Sequence, residues 1–342
     1  MIGARFIIRR LKSFEFGFFA MFVCHAESER VILRYADYAE VEIYLFGALL
    51  NRYAVREEDG GWFDCVKGYV SPDAARNGIT DGFYGAKLSP FPCRLKNGRY
   101  GFCGRDYYVG KHLSGNHALH GLLYDADFGL RDCGCDDGRA WARLVFDYDG
   151  NIPGYPFAYR LCVRYVLDAD GLEVTTTVEN TGGSAMPVAD GWHPYFTLGG
   201  CVDDWTLRVG SRRRLVFDDS LLPTGGYEDD ARFLQPCCLK GIGLDNSFLL
   251  DGGAGEVCVL QNGRRRLAVY ALCNYPVLQL YIPPGRDAVA VENLSGAPDC
   301  FNNGIGLLVL APQERRDFSA RYCLDGGGGR NNFQANRNQL LL

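Results

Sequence analysis

Leu172-Glu173-Val174-Thr175-Thr176-Thr177-Val178-Glu179 alternates apolar and polar side chains, and Asn180-Thr181-Gly182-Gly183 follows it directly. Successive side chains of a strand point to opposite faces, so this period of two predicts a strand with one buried face, closed by a turn. Turn residues also stand upstream, in Asp168-Ala169-Asp170-Gly171 and Asp149-Gly150-Asn151. Downstream, Val257 to Leu260, Arg266 to Leu272, Val277 to Ile282 and Ala288 to Val291 read as further short strands. Asn262-Gly263 and Pro283-Pro284-Gly285 separate them. No amphipathic run of helical period and length interrupts the series. The expected fold is all-β, a single large antiparallel β-sandwich.

No linker or fixed-period repeat divides residues 31 to 323, so that span is expected to be one domain. Residues 324 to 342, with Gly326 to Gly329 and an Asn/Gln/Arg-rich end, are expected to be a flexible tail. At 342 residues the chain is long enough to bury a sizeable core, and 47% hydrophobic with 23% charged residues is ordinary for a globular protein. A net charge of -5 gives no electrostatic reason to expect nucleic acid as a partner. The 20 Tyr and 21 Phe suit a β core first, and also a cleft in which aromatic faces pack on sugar rings.

Residues 1 to 30 are expected to be an N-terminal extension. Arg5, Arg9, Arg10 and Lys12 precede a largely apolar stretch from Phe14 to Ala26, which Glu15 interrupts. Cys24-His25-Ala26 weakly resembles a signal-peptide cleavage site, and Met21 is an alternative start. No later segment approaches the ~18 apolar residues of a membrane span. The 14 cysteines include no C-x-x-C pair and read mainly as small buried apolar residues in a reducing compartment. The expected location is cytoplasmic, or periplasmic if residues 1 to 26 direct export.

Serine-nucleophile elbows, phosphate-binding loops and dinucleotide fingerprints are absent; Gly241-Ile242-Gly243 and Gly304-Ile305-Gly306 are incomplete and read as turns. Chemistry must therefore come from isolated polar residues. Of five histidines, His112, His117 and His120 cluster, but without the helix and Glu of a zinc protease, so no metal is expected. His193 sits in Asp190-Gly191-Trp192-His193-Pro194-Tyr195-Phe196, where a stiffened backbone would orient an imidazole that titrates near neutrality. A core histidine bonded to backbone fits those residues equally well. Glu292 closes the apolar strand Ala288 to Val291, either as a base presented by a rigid scaffold or as a cap for the next loop. Arg94 and Asp245 are lone charges in apolar surroundings, which a structural ion pair between them would also explain.

In this order the segments resemble the aldose 1-epimerase (galactose mutarotase) family. The matching stretches are Gly85 to Tyr100, Leu119-His120-Gly121, Gly191 to Phe196, Leu244-Asp245-Asn246, Val291-Glu292 through Pro298 to Gly304, and Leu310 to Glu314. The resemblance implies the family's β-sandwich with an open sugar cleft and no cofactor. It further implies His193 as general acid, Glu292 as general base, and Arg94, His120 and Asp245 as residues that hold the sugar. Trp192 and Pro194 around the histidine, and Leu122 after His120-Gly121, depart from common family patterns and bear on sugar preference.

The activity so implied is interconversion of the α and β anomers of a free aldohexose such as glucose or galactose, with a monosaccharide as the small-molecule partner. An ionised Glu292 is expected to take the anomeric proton while a protonated His193 donates to the ring oxygen. Two alternatives stay open: a hexose 6-phosphate mutarotase, with Arg99 or Arg105 reaching the phosphate, and a carbohydrate-binding sandwich without activity. A glycosidase, which normally needs two carboxylates flanking the bond, fits least.

Overall fold

In the computed structural model, which describes residues 21–252 and 255–326, strand Gly171–Asn180 buries Leu172, Val174, Thr176, Val178 and Asn180. Glu173, Thr175, Thr177 and Glu179 alternate with them and stay half-buried. The strand pairs antiparallel with Tyr159–Asp168 on one side and Arg315–Asp325 on the other. These lie inside a nine-stranded sheet that continues outward through Arg139–Tyr148 and Gly129–Cys135. On its other flank it runs through Arg265–Cys273, Glu256–Asn262, Thr206–Val209 and Cys237–Cys238. The expected Asn262-Gly263 turn is present, with Gly263 at φ +57° between paired Asn262 and Arg265.

A second large sheet carries, in order, Pro223–Asp229, Arg213–Phe217, Asp245–Leu249, Val277–Tyr281, Val289–Leu294, Gly191–His193 and Ala86–Leu88. Tyr195–Phe196 also pairs with Val289–Leu294. One face of this sheet packs on the nine-stranded sheet. Leu278, Leu280, Val289, Val291, Trp192 and Phe248 share one buried cluster with Val163, Tyr165, Val174 and Phe318. Tyr165 meets Trp192 edge-on with centroids 5.9 Å apart, and Phe196 lies 5.2 Å from Tyr322. Each such side chain contributes about 1.5–3 kcal/mol over an exposed one. The all-β sandwich expected from the alternation is the fold observed. The α-helices among the described residues are short, Pro72–Gly78 and Cys300–Asn303. None is long and apolar enough to cross a membrane.

A five-stranded sheet covers the N-terminal region and begins with Phe22–Ala26. Phe22 is buried and stacks on Tyr35 at 4.5 Å, so the described fold starts inside the segment read as an extension. Cleavage after Ala26 would remove this edge strand. The rest of that segment, residues 1–20, and the Gly/Asn-rich tail from 327 lie outside the described residues. At the other end, Arg315–Asp325 stays paired past 323, with Leu324 and Asp325 opposite Leu267 and Arg266. The cysteines are free thiols. Cys65, Cys93, Cys258, Cys300 and Cys323 are buried as expected, whereas Cys103, Cys135, Cys238 and Cys273 are exposed.

Candidate active site

The face of the second sheet turned away from the nine-stranded sheet is the polar one. In Val277–Tyr281, Leu278 and Leu280 enter the inter-sheet core, so Gln279 and Tyr281 point the other way. In Val289–Leu294 the same parity sends Val289 and Val291 to the core and Ala290 and Glu292 to the opposite face. Trp192 and Phe248 face the core as well, which leaves His193 and Asp245 on the polar side. Glu292 was expected to end its strand. Instead the ladder continues, because Asn293 and Leu294 stay paired with Leu278 and Val277, and Glu292 sits mid-strand opposite Gln279.

Register brings the two distant segments together. Gly191 faces Leu294 and Tyr195 faces Ala290, so His193 stands opposite Glu292 on adjacent strands. Directly opposed side chains of antiparallel strands have Cβ atoms about 4.5–5.5 Å apart. Here His193 Nε2 lies 3.4 Å from Glu292 Oε1. The ring of His193 stacks on Tyr195 at 5.0 Å and meets the ring of His120 edge-on at 4.8 Å. Pro194, which has no N–H to give to the ladder, separates the two short strands that carry His193 and Tyr195.

The opposite wall comes from loops. Strand Arg94–Leu95 pairs with His117–Leu119, with Arg94 across from Leu119. The His120 N–H donates to the Cys93 carbonyl at 2.9 Å, and the Asp299 N–H donates to the Arg94 carbonyl at 2.7 Å. Asp299 Oδ1 in turn accepts from the Lys96 N–H at 2.8 Å, which pins the Arg94 segment from outside. Phe83, Cys93 and His120 have φ of +55°, +52° and +62°. Left-handed backbone at non-glycine residues costs about 1–3 kcal/mol each, and all three line the cavity. Gly121 must be glycine, since a Cβ there would stand 2.3 Å from the Ser89 carbonyl oxygen.

Together these walls enclose about 360 Å³ lined by Arg94, His120, His193, Asp245 and Glu292. All five residues singled out in the sequence therefore meet in one cavity. Asp245 Oδ1 accepts from Gln279 Nε2 at 2.6 Å, and Gln279 also accepts from Ser247 Oγ. Arg94 and Asp245 close no ion pair among the described residues, so the structural pairing that could have explained both is absent. Arg94 is near enough for its charge to pull down the Asp245 carboxyl, which burial otherwise raises. The three clustered histidines do not converge: His117 Nδ1 accepts from the Asn97 N–H at 3.1 Å, outside the lining. Arg99 and Arg105 are exposed and absent from the lining, and Arg99 lies over the Tyr108 ring.

Electrostatics modify one expectation. Burial pushes the Glu292 carboxyl well above its usual range, with Asp245 adding to the shift, and pushes His193 down to about 4. Burial thus works towards a carboxylic acid beside a neutral imidazole and against the carboxylate and imidazolium expected from the sequence. Both forms have zero net charge and differ by one proton passed across 3.4 Å. Sequence reasoning overlooked Cys93, Gln279 and Phe83 in the lining. Gln279 had a readable signal, a lone amide in the apolar strand Val277–Tyr281. Trp192 is a core residue: it is buried against Tyr165, with Lys87 Nζ 4.4 Å from its ring centroid.

A β-sandwich whose second sheet presents an imidazole and a carboxyl group to one open cavity, faced by a guanidinium from the opposite wall, defines a galactose-mutarotase-like class of protein. The family profile described as aldose 1-epimerase matches residues 29–323, and the chain belongs to that family. It is 30% identical over 235 residues to the Escherichia coli (strain K12) protein YihR, described as uncharacterized, covering 66% of this chain and 74% of that one. Among solved structures, a galactose mutarotase-like protein from Clostridium acetobutylicum superposes with a TM-score of 0.76 at 16% identity, over 89% of this chain and 98% of the other. Galactose 1-epimerase from Lactobacillus acidophilus NCFM gives 0.73 at 20% identity, over 89% and 98%. At such identities these structures speak for the fold alone.

Proposed function

We propose that the protein is an aldose 1-epimerase that equilibrates the anomers of an unphosphorylated aldohexose such as glucose or galactose. The observation that carries this reading is the His193–Glu292 pair at 3.4 Å, opening into a cavity of monosaccharide size. O1 and O5 of a cyclic sugar hang from one carbon, so two groups this close can address both. Glu292 takes the proton from O1 as His193 gives one to O5, and the ring opens. Rotation about C1–C2 and reclosure with the roles reversed give the other anomer. Ring opening leaves Glu292 protonated and His193 neutral, the form that burial favours; hydrogen bonds from the sugar and the Arg94 charge favour the ionised form beforehand. Arg94, His120 and Asp245 hold the hydroxyls.

The lining supports a neutral sugar. Arg94 is its one Lys or Arg among the described residues, against the carboxyl groups of Asp81, Asp245 and Glu292. A phosphate would find one guanidinium there and three groups that repel it when ionised. Polarimetry or NMR exchange on fresh α-D-glucose, α-D-galactose and glucose 6-phosphate tests the reading. Acceleration of a free hexose is expected; acceleration of the phosphate alone, or of none, overturns it.

A further inference from the structure

We propose that Cys93, His120 and Glu292 form a binding site for one borderline-soft divalent cation of the zinc or cadmium class, which blocks the sugar site. The three ligand atoms, a thiol sulfur, an imidazole nitrogen and a carboxylate oxygen, all lie within 4.8 Å of one another, and all three residues are buried. The Cys93 thiol donates to Glu292 Oε2 over 3.8 Å. In a tetrahedral zinc site, bonds of about 2.3 Å to sulfur and about 2.0–2.2 Å to oxygen put those two atoms about 3.5 Å apart. A shift of a few tenths of an ångström in two side chains therefore suffices on that edge. Nδ1 of His120 is buried with no hydrogen-bond partner, a polar atom left open for a ligand.

The backbone holds two of the ligands in fixed relation, because the His120 N–H is bonded to the Cys93 carbonyl. Glu292 divides its oxygens, Oε1 towards His193 and Oε2 towards Cys93, so the cation approaches from the side away from the acid. The cavity leaves the fourth position to water. A sulfur, nitrogen and oxygen donor set with an open position suits zinc or cadmium, whereas magnesium and calcium take oxygen ligands. Binding displaces the thiol proton, and the carboxyl proton where present, and forms metal–sulfur and metal–oxygen bonds in their place. With its lone pair occupied, Glu292 can no longer take a proton from a sugar. The inhibitory consequence rests on the proposed function; the binding does not.

The test titrates chelator-treated full-length protein with Co²⁺, which reports thiolate ligation through a charge-transfer absorption, and then displaces it with Zn²⁺. The mutarotation rate is read in parallel with and without Zn²⁺. One equivalent of Cys93-dependent absorption is expected, together with loss of rate that added sugar relieves. In Cys93→Ser the absorption should vanish and affinity should fall by more than the roughly 10–100-fold that losing a residue behind a metal ligand costs. Zn²⁺ should then no longer change that variant's own rate, whatever its starting value. Glu292→Gln should weaken binding in the spectroscopic arm alone. Circular dichroism confirms folding of each variant, with Cys93→Ala as the replacement should serine fail. Absorption and inhibition unchanged in the Cys93 variants would assign the metal to other thiols and end the proposal. Metal binding without turnover of any sugar would end the enzyme reading and leave the site standing.

Discussion

His193 and Glu292 are cross-strand neighbours, opposed on adjacent strands of one sheet with Nε2 and Oε1 3.4 Å apart. Their distance is thus set by sheet register, with no mobile loop between them. His193→Asn and Glu292→Gln should each lower kcat/KM by about 10²–10⁴-fold while leaving the urea midpoint close to wild type. Because the two act as a unit, the double variant should lose little more than the worse single one. Polarimetry on the preferred hexose reads this; a wild-type rate in either variant removes that residue from the chemistry.

The pH profile follows from the directions of the two shifts. The pair works with one transferable proton, which it holds between the His193 value of about 4 and the raised Glu292 value. Expected is a kcat/KM with an acid limb near pH 4 and an alkaline limb where the raised Glu292 carboxyl loses its proton. Stability has the matching sign. His193 is lowered on folding, so its contribution is fully present above about 6.5 and is lost as pH falls towards 4. Against His193→Asn, wild type should lose about 3 kcal/mol over that window, read from urea midpoints at each pH. Glu292 is raised, so its contribution is present below its unfolded value and is lost as pH climbs through the folded one.

Arg94 and Asp245 line the cavity without pairing to each other, so each is available to a sugar. Hydrogen bonds to charged groups contribute about 1.5–3 kcal/mol, which is roughly 10–100-fold in binding. Arg94→Ala and Asp245→Asn should raise KM by that order, with a smaller fall in kcat from misplacement of C1. Unchanged saturation curves would return both residues to a packing role.

On the strand paired with the one that carries His193, Lys87 is fully buried, with Nζ 2.5 Å from Asp190 Oδ2, and the Tyr275 hydroxyl donates to the same oxygen at 2.6 Å. Lys87→Met leaves a buried carboxylate without its cation and should cost about 3–5 kcal/mol in chemical denaturation. Adding Asp190→Asn should recover part of the loss, because the uncompensated charge goes with it. Additive losses in the double variant would show that the pair is not coupled.

The fold was legible where side-chain parity is local. Leu172 to Glu179 alternates in sequence and alternates in burial, and the turns at Gly182 and Gly263 fall where their residue types put them. The five candidate site residues were legible through their segments and the family resemblance. Their meeting was not, since the register that sets His193 against Glu292 belongs to two strands far apart in the chain. Asn293 looked like the start of a loop, yet cross-strand pairing with Leu278 keeps it in the sheet. Cys93 and Phe83 carried no signal, because their place in the lining depends on loop backbone at positive φ that no local pattern announces.

The opposed His193 and Glu292 share one vulnerability. Deleting a single residue between Ala290 and Glu292 would turn the carboxyl group inward against the hydrophobic layer and swing a neighbouring side chain into its place. Apolar replacements along the same strand leave its odd–even order intact. Within this strand, apolar substitutions should therefore be borne far better than a change of length, which would take the carboxyl group away from His193 altogether.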